Sequence, residues 1–129
     1  MILYMRSPVK NELVLGIFDG KKLNKLTANH CKHDDFFKCI NSYLKRSSVG
    51  WRNLQGVAVV TGSGSFSALR TLSAIANTAS FCFKLRLLSA SASENDSDSA
   101  IASRLVRVIG SLSPAYAQKL SVDKQKPVM

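Results

Sequence analysis

The stretch QGVAVVTGSGSFSALRTLSAIA, residues 55–76, restricts the fold of this chain more than any other part of it. Residues 55–61 are apolar and partly β-branched, with no polar alternation. That is the pattern of a strand covered on both faces. Gly62 and Gly64 then flank Ser63, and Ser65 stands where a helix N-cap belongs. A helix rich in small residues follows, over about 66–80. A strand of this kind sits inside a sheet with helices packed on it, and the strand–glycine turn–helix order is one that many proteins use to cradle phosphate.

The neighbouring segments supply the rest of such a sheet. ILYM (2–5) and ELVLGIF (12–18) read as strands, and DGKK after the second carries the Asp-Gly signal of a hairpin. LNKLT (23–27) is then a third strand, antiparallel to the second. HDDFFKCINSYLKR (33–46) places Phe36, Phe37, Ile40, Tyr43 and Leu44 at helical spacing, with Asp34 and Asp35 at its start and Lys45 and Arg46 at its end, as a helix dipole favours. FKLRLLS (83–89) reads as a last strand. The order β-β-β-α-β-α-β predicts an α/β fold with a mixed five-stranded sheet and helices packed on it. SASASENDSDSA (89–100) shifts to serine, alanine and acids, as in a turn or linker. IASRLVRVI (101–109) reads as a short amphipathic helix, with strand as the competing reading. The last stretch, with Pro114 and Pro127, reads as a loose tail. The expected organisation is a domain over 1–90, a linker with a short terminal helix over 91–112, and a tail over 113–129.

A chain of 129 residues closes one core, and 46% hydrophobic against 20% charged residues marks it as globular. The net charge of +10 invites RNA, an anionic surface or an acidic protein. The basic residues are scattered, however, from Arg6 to Lys126. Cys31, Cys39 and Cys82 are odd in number and irregular in spacing, which fits free thiols in a reducing cytoplasm. MILYMRSP lacks the features of a signal peptide, and no apolar run approaches the about 20 residues that span a bilayer. A soluble cytoplasmic protein is the expectation.

The glycine turn is neither a Walker loop, since no Gly-Lys-Ser/Thr follows, nor a dinucleotide fingerprint, since a third glycine is missing. The longer pattern GSGSFSALR (62–70) resembles the GPGSFTGLR signature of the TsaB (YeaZ) family, which helps make the threonylcarbamoyl modification of tRNA adenosine. The surrounding segments agree: an apolar strand before the signature, a small-residue helix and a strand after it, and a helix opened by His33 upstream. SPAYAQKLSV (113–122) resembles the Pro-x-Tyr segment that closes TsaB proteins. The resemblance covers residues 1–90 and implies a ribonuclease H-like fold of the actin and sugar-kinase type. TsaB proteins carry a second related domain; the expectation here is a chain that corresponds to the first domain plus a terminal segment. The family's first strand runs into an Asp-Thr-Ser turn; here Arg6 stands where the aspartate belongs, and an arginine cannot coordinate Mg²⁺. Gly62, Ser63, Gly64, Ser65, Phe66 and Arg70 therefore form the outline of a degenerate phosphate-type loop.

TsaB is a non-catalytic scaffold for its paralogue TsaD, so the resemblance implies a binding subunit with no catalytic residues, no cofactor and no metal of its own. It implies a TsaD-like partner, with a TsaE-like ATPase, a second copy of the chain and an indirect tRNA contact as further associations, and no membrane. TsaB proteins pair through the first two helices of this domain. The matching positions here are Phe36, Ile40 and Tyr43 on the first helix and Leu69, Ser73, Ala76, Asn77 and Ser80 on the second. Two rivals remain: a basic RNA-binding module, and a residual ATPase that uses Asp19 or Asp35 for metal. His30, Cys31, His33 and Cys39 lack the paired spacing of a zinc site. Ser65, His33 and Asp35 make a triad that so serine-rich a chain offers by chance. Trp51 reads as a hydrophobic plug.

Overall fold

The computed structural model describes residues 1–62, 64–93, 96–108 and 112. The strands are β1 (Ile2–Arg6), β2 (Glu12–Phe18), β3 (Leu23–His30), β4 (Gly56–Thr61), β5 (Arg86–Ser91) and β6 (Val106–Arg107). The helices are α1 (Phe36–Arg46), α2 (Phe66–Phe83) and α3 (Asp98–Ala102). Short 3-10 turns at His33–Asp35 and Trp51–Asn53 precede α1 and β4. The predicted order therefore holds through β5.

The sheet has six strands, not the five expected, in the order β3-β2-β1-β4-β5-β6. The extra strand comes from the segment read as one short helix over 101–109. That helix, α3, ends at Ala102, and Val106 and Arg107 instead pair antiparallel with Ser89 and Leu88. Ile109 lies outside the described residues. β1 and β2 are antiparallel with Leu3 opposite Ile17, while β1, β4 and β5 run parallel with Leu3, Val57 and Leu87 in line. The Asp-Gly hairpin forms as predicted: the Asp19 carboxylate accepts from the Lys21 and Lys22 backbone N–H groups at 2.8 and 2.7 Å, and Gly20 takes φ +100°.

β4 is buried along its whole length. Its alternate side chains face two different layers. Val57 and Val59 join Leu3, Met5, Leu13, Leu15 and Leu87 under α1 and α2. Val60 joins Tyr4, Val14 and Ala90 on the other face, under Ile101 and Ala102 of α3. α1 contributes Phe36, Ile40, Tyr43 and Leu44 to the first layer, each worth about 1.5–3 kcal/mol of burial. α1 proper begins at Phe36, so Asp34 and Asp35 sit in the turn ahead of it and not in its first turn. α2 runs past its predicted end to Phe83 and stops at Lys84, which takes the left-handed conformation. Among the described residues no helix is long and apolar enough to cross a membrane.

Candidate functional site

The parallel strands β1 and β4 end together, and their C-terminal ends carry the glycine turn. Gly62 and Gly64 take φ +94° and +84°. A Cβ on Gly62 would lie 2.7 Å from the Ala92 carbonyl oxygen, and one on Gly64 would collide with the Ser7 carbonyl oxygen. Both glycines are thus required by close approach of the chain's own backbone as well as by φ. Ser65 caps α2: its Oγ accepts from the Ala68 N–H at 3.1 Å. Phe66 and Arg70 are exposed, and Ser63 lies outside the described residues. Beside the turn is a cavity of about 360 Å³ lined by Lys10, Asn11, His33, Ser65 and Ser67. The hairpin turn carrying Asp19 lies at the other end of the sheet, since Phe18 pairs with Ile2 while Arg6 pairs with Val14. Asp19 therefore cannot reach the glycine turn. Its carboxyl is held below the usual range by the Lys22 and Lys21 N–H groups.

Arg6, at the end of β1, is buried. Its guanidinium is 3.0 Å from Asp98 Oδ1, and the Tyr4 hydroxyl donates to the same oxygen at 2.7 Å. Weaker contacts reach the Asp96 and Ser93 carbonyls at 3.4 and 3.5 Å. Arg6 Nε has no hydrogen-bond partner among the described residues. Burial pushes the Tyr4 hydroxyl well above the ordinary tyrosine range, and the Asp98 contact pushes it further. The position that holds an aspartate in the resembled family is here one half of an internal ion pair, which ties the start of α3 to the sheet.

The eight positions expected to meet a partner are used within the chain instead. Phe36, Ile40, Tyr43, Leu69, Ser73 and Ala76 are all buried against the sheet, Ala76 completely. Ser80 Oγ donates to the Leu85 carbonyl at 2.7 Å, helping to close the end of α2. Asn77 clasps Leu112: its Nδ2 donates to the Leu112 carbonyl at 2.6 Å and its Oδ1 accepts from the Leu112 N–H at 2.7 Å. The residues left facing outward lie about a quarter turn around each helix from these positions. The outward faces are Phe37 and Asn41 on α1 and Ala74, Thr78 and Cys82 on α2. They border a groove of about 560 Å³.

Three rings floor that groove. Trp51 stacks on Phe37 with centroids 6.5 Å apart and on Phe83 at 5.9 Å, with interplanar angles of 15° and 6°. The Trp51 indole N–H donates to Asn41 Oδ1 at 2.9 Å, which fixes the ring. Phe37 is 54% exposed, and Phe81, one turn from the groove, is 87% exposed. The plug reading of Trp51 captured the side chain but missed the surface it builds. Of His30, Cys31, His33 and Cys39, the structure brings the two thiols together, Sγ to Sγ 2.7 Å. His33 instead lies 3.2 Å from Asp34. The Pro-x-Tyr segment at 113–122 lies outside the described residues.

Against solved structures, the chain aligns with YeaZ from Pseudomonas aeruginosa at a TM-score of 0.59 over 70% of its length, with 12% identity. The fold is similar to that of YeaZ. A second structure, described as an uncharacterized protein with similarity to peptidase YEAZ from Pseudomonas aeruginosa, matches with the same TM-score of 0.59, the same 12% identity and the same 70% coverage. The chain spans less than half of these structures, 43% and 42% of their lengths. At this identity the likeness to YeaZ is one of fold. No protein-family model matches the chain, and no curated protein matches it in sequence.

Proposed function

We propose that the chain is a non-catalytic TsaB-like subunit of ribonuclease H-like fold, which docks a TsaD-like partner and so supports threonylcarbamoylation of tRNA adenosine. The observation that carries this reading is the exposed aromatic groove between α1 and α2. It lies on the first two helices, the elements through which the resembled family pairs. Its walls are short side chains, Ala74 and Thr78, and its floor is three stacked rings. A partner helix laid in such a groove covers large rigid aromatic surface at little cost in side-chain entropy. Support also comes from the signature GSGSFSALR and from the fold shared with YeaZ. The non-catalytic part rests on Arg6. A guanidinium cannot hold Mg²⁺, and this one is engaged by Asp98.

The test is co-purification of the chain with a TsaD-like protein, wild type against Ala74→Lys. Ala74 is exposed at the groove wall, so a lysine there leaves the fold intact while placing an unpaired charge in the interface. Loss of pairing with unchanged circular dichroism is the expected result. A folded variant that pairs at wild-type strength removes this face from the proposal. ATP hydrolysis that tracks the chain through purification would overturn the non-catalytic part.

A further inference from the structure

On the face of α1 turned away from the aromatic groove, a second cavity of about 590 Å³ opens between the helix and the end of β3. Cys31 and Cys39 lie on its wall. Cys31 follows β3 directly, and its backbone N–H donates to the Asn11 carbonyl at 2.8 Å, which holds it in place. Cys39 projects from the first part of α1. Its thiol meets the Cys31 sulfur at 2.7 Å, and the Cys31 thiol also reaches the Lys32 carbonyl at 3.4 Å. Both are free thiols. Two cysteines on separate segments, in direct contact on the wall of an open cavity, can join without moving either backbone far.

The two thiols differ in a way that assigns them separate roles. Cys31 is buried, and burial, with the Cys39 contact adding to it, pushes its thiol up to about 12. Cys39 is only partly buried. The cavity around it carries Lys32, Lys38 and Arg46 against the one carboxylate of Asp35, with His30 also on the wall. Cys39, the less buried of the two, is the thiol that a reagent in the cavity reaches first.

We propose that Cys31 and Cys39 are a redox-active dithiol that closes to an intramolecular disulfide when a hydroperoxide enters this cavity. The Cys39 thiolate attacks the terminal peroxide oxygen. The O–O bond breaks, and the departing oxygen takes a proton and leaves as water or an alcohol. Cys39 is then a sulfenic acid. The Cys31 sulfur attacks the Cys39 sulfur, the S–O bond breaks, and the hydroxyl leaves as water with the proton from Cys31. Two thiols have lost two electrons and two protons, and the peroxide has been reduced by the same two electrons. A dithiol reductant restores the pair by exchange. The resulting bond staples α1, which carries Phe37 and Asn41 of the groove, to the edge of the sheet.

The experiment uses the full chain and hydrogen peroxide. Treatment at a stoichiometric dose is expected to lower the free thiols from three to one, with the intact mass falling by two hydrogens. Peptide mapping is expected to join residues 31 and 39, and dithiothreitol to reverse the change completely. In Cys31→Ser, dimedone is expected to trap a sulfenic acid on Cys39. In Cys39→Ser, Cys31 is expected to stay reduced under the same dose, and Cys82→Ser to behave as wild type in forming the 31–39 bond. A wild-type chain that keeps three thiols overturns the proposal. So does one whose oxidation product is a disulfide through exposed Cys82, or a Cys39 sulfinic acid with Cys31 still free. The two single variants do not both need to fold for these wild-type results to decide.

Discussion

Asp98 holds one carboxylate oxygen against both the Tyr4 hydroxyl and the Arg6 guanidinium. Removing it leaves a buried guanidinium with no countercharge, so Asp98→Ala should cost about 3–5 kcal/mol in chemical denaturation. Tyr4→Phe removes one hydrogen bond and should cost only about 1 kcal/mol. The tyrosine also sets a pH dependence. Below the ordinary value of 10.0 the hydroxyl is protonated in folded and unfolded chain alike, and its contribution is constant. Above that value the unfolded chain releases the proton while folded Tyr4 keeps it. Stability should therefore fall as the pH rises beyond 10, and Tyr43, raised by burial, adds to the slope. Equilibrium unfolding from pH 9 upward, flatter in Tyr4→Phe than in wild type, checks the sign. Arg6 itself was legible in the sequence, because it stands at a fixed offset after the first strand. Its partner was not. Asp98 lies in a serine-rich run that reads as linker, and a contact between residues 92 positions apart leaves no local pattern.

At the scale of elements, β1 to β5, α1 and α2 follow from periodicity and turn chemistry, which are local. What failed was the choice of outward face on both helices, and α2 shows why. Ala68, Ser73 and Ala76 are small, and small residues pack as closely on a chain's own sheet as on a partner helix. The choice depends on where the sheet lies, which the helix sequence does not specify. α1 has one strongly apolar side, and its Phe36, Ile40 and Tyr43, expected at a partner, likewise pack in the chain's own core. Burial of Ala76 decides the outcome of a specific substitution. Ala76→Lys should destroy cooperative unfolding, because its ammonium would be buried unpaired in the apolar core layer that also holds Leu72 and Leu3. Lys84→Ala, at the exposed end of the same helix, should remain folded. Circular dichroism melts of the two variants suffice. A folded Ala76→Lys chain would mean that α2 is rotated from the position described.

The whole molecule has a net charge of +10 and an apolar groove, and these two features point to different partners. The groove is assembled from three separated segments, around Phe37, Trp51 and Phe83, so only the folded chain reveals it. The charge is visible in the sequence but not tied to any one face. Salt separates the two readings physically. A protein that binds nucleic acid through six to ten phosphate contacts loses about 10³–10⁵-fold in affinity between about 50 and 200 mM salt, because the displaced counterions become harder to release. Apolar docking releases no such counterions, and its signature is a negative heat-capacity change from buried carbon surface. Pairing with a TsaD-like protein should therefore stay nearly constant over that salt range, with its enthalpy falling as temperature rises. Calorimetric titrations at two salt concentrations and three temperatures give both quantities from one preparation. The same chain titrated with tRNA alone should bind weakly and lose that binding as salt is added. Tight, steeply salt-dependent tRNA binding that survives Ala74→Lys would transfer the function from the groove to the basic surface.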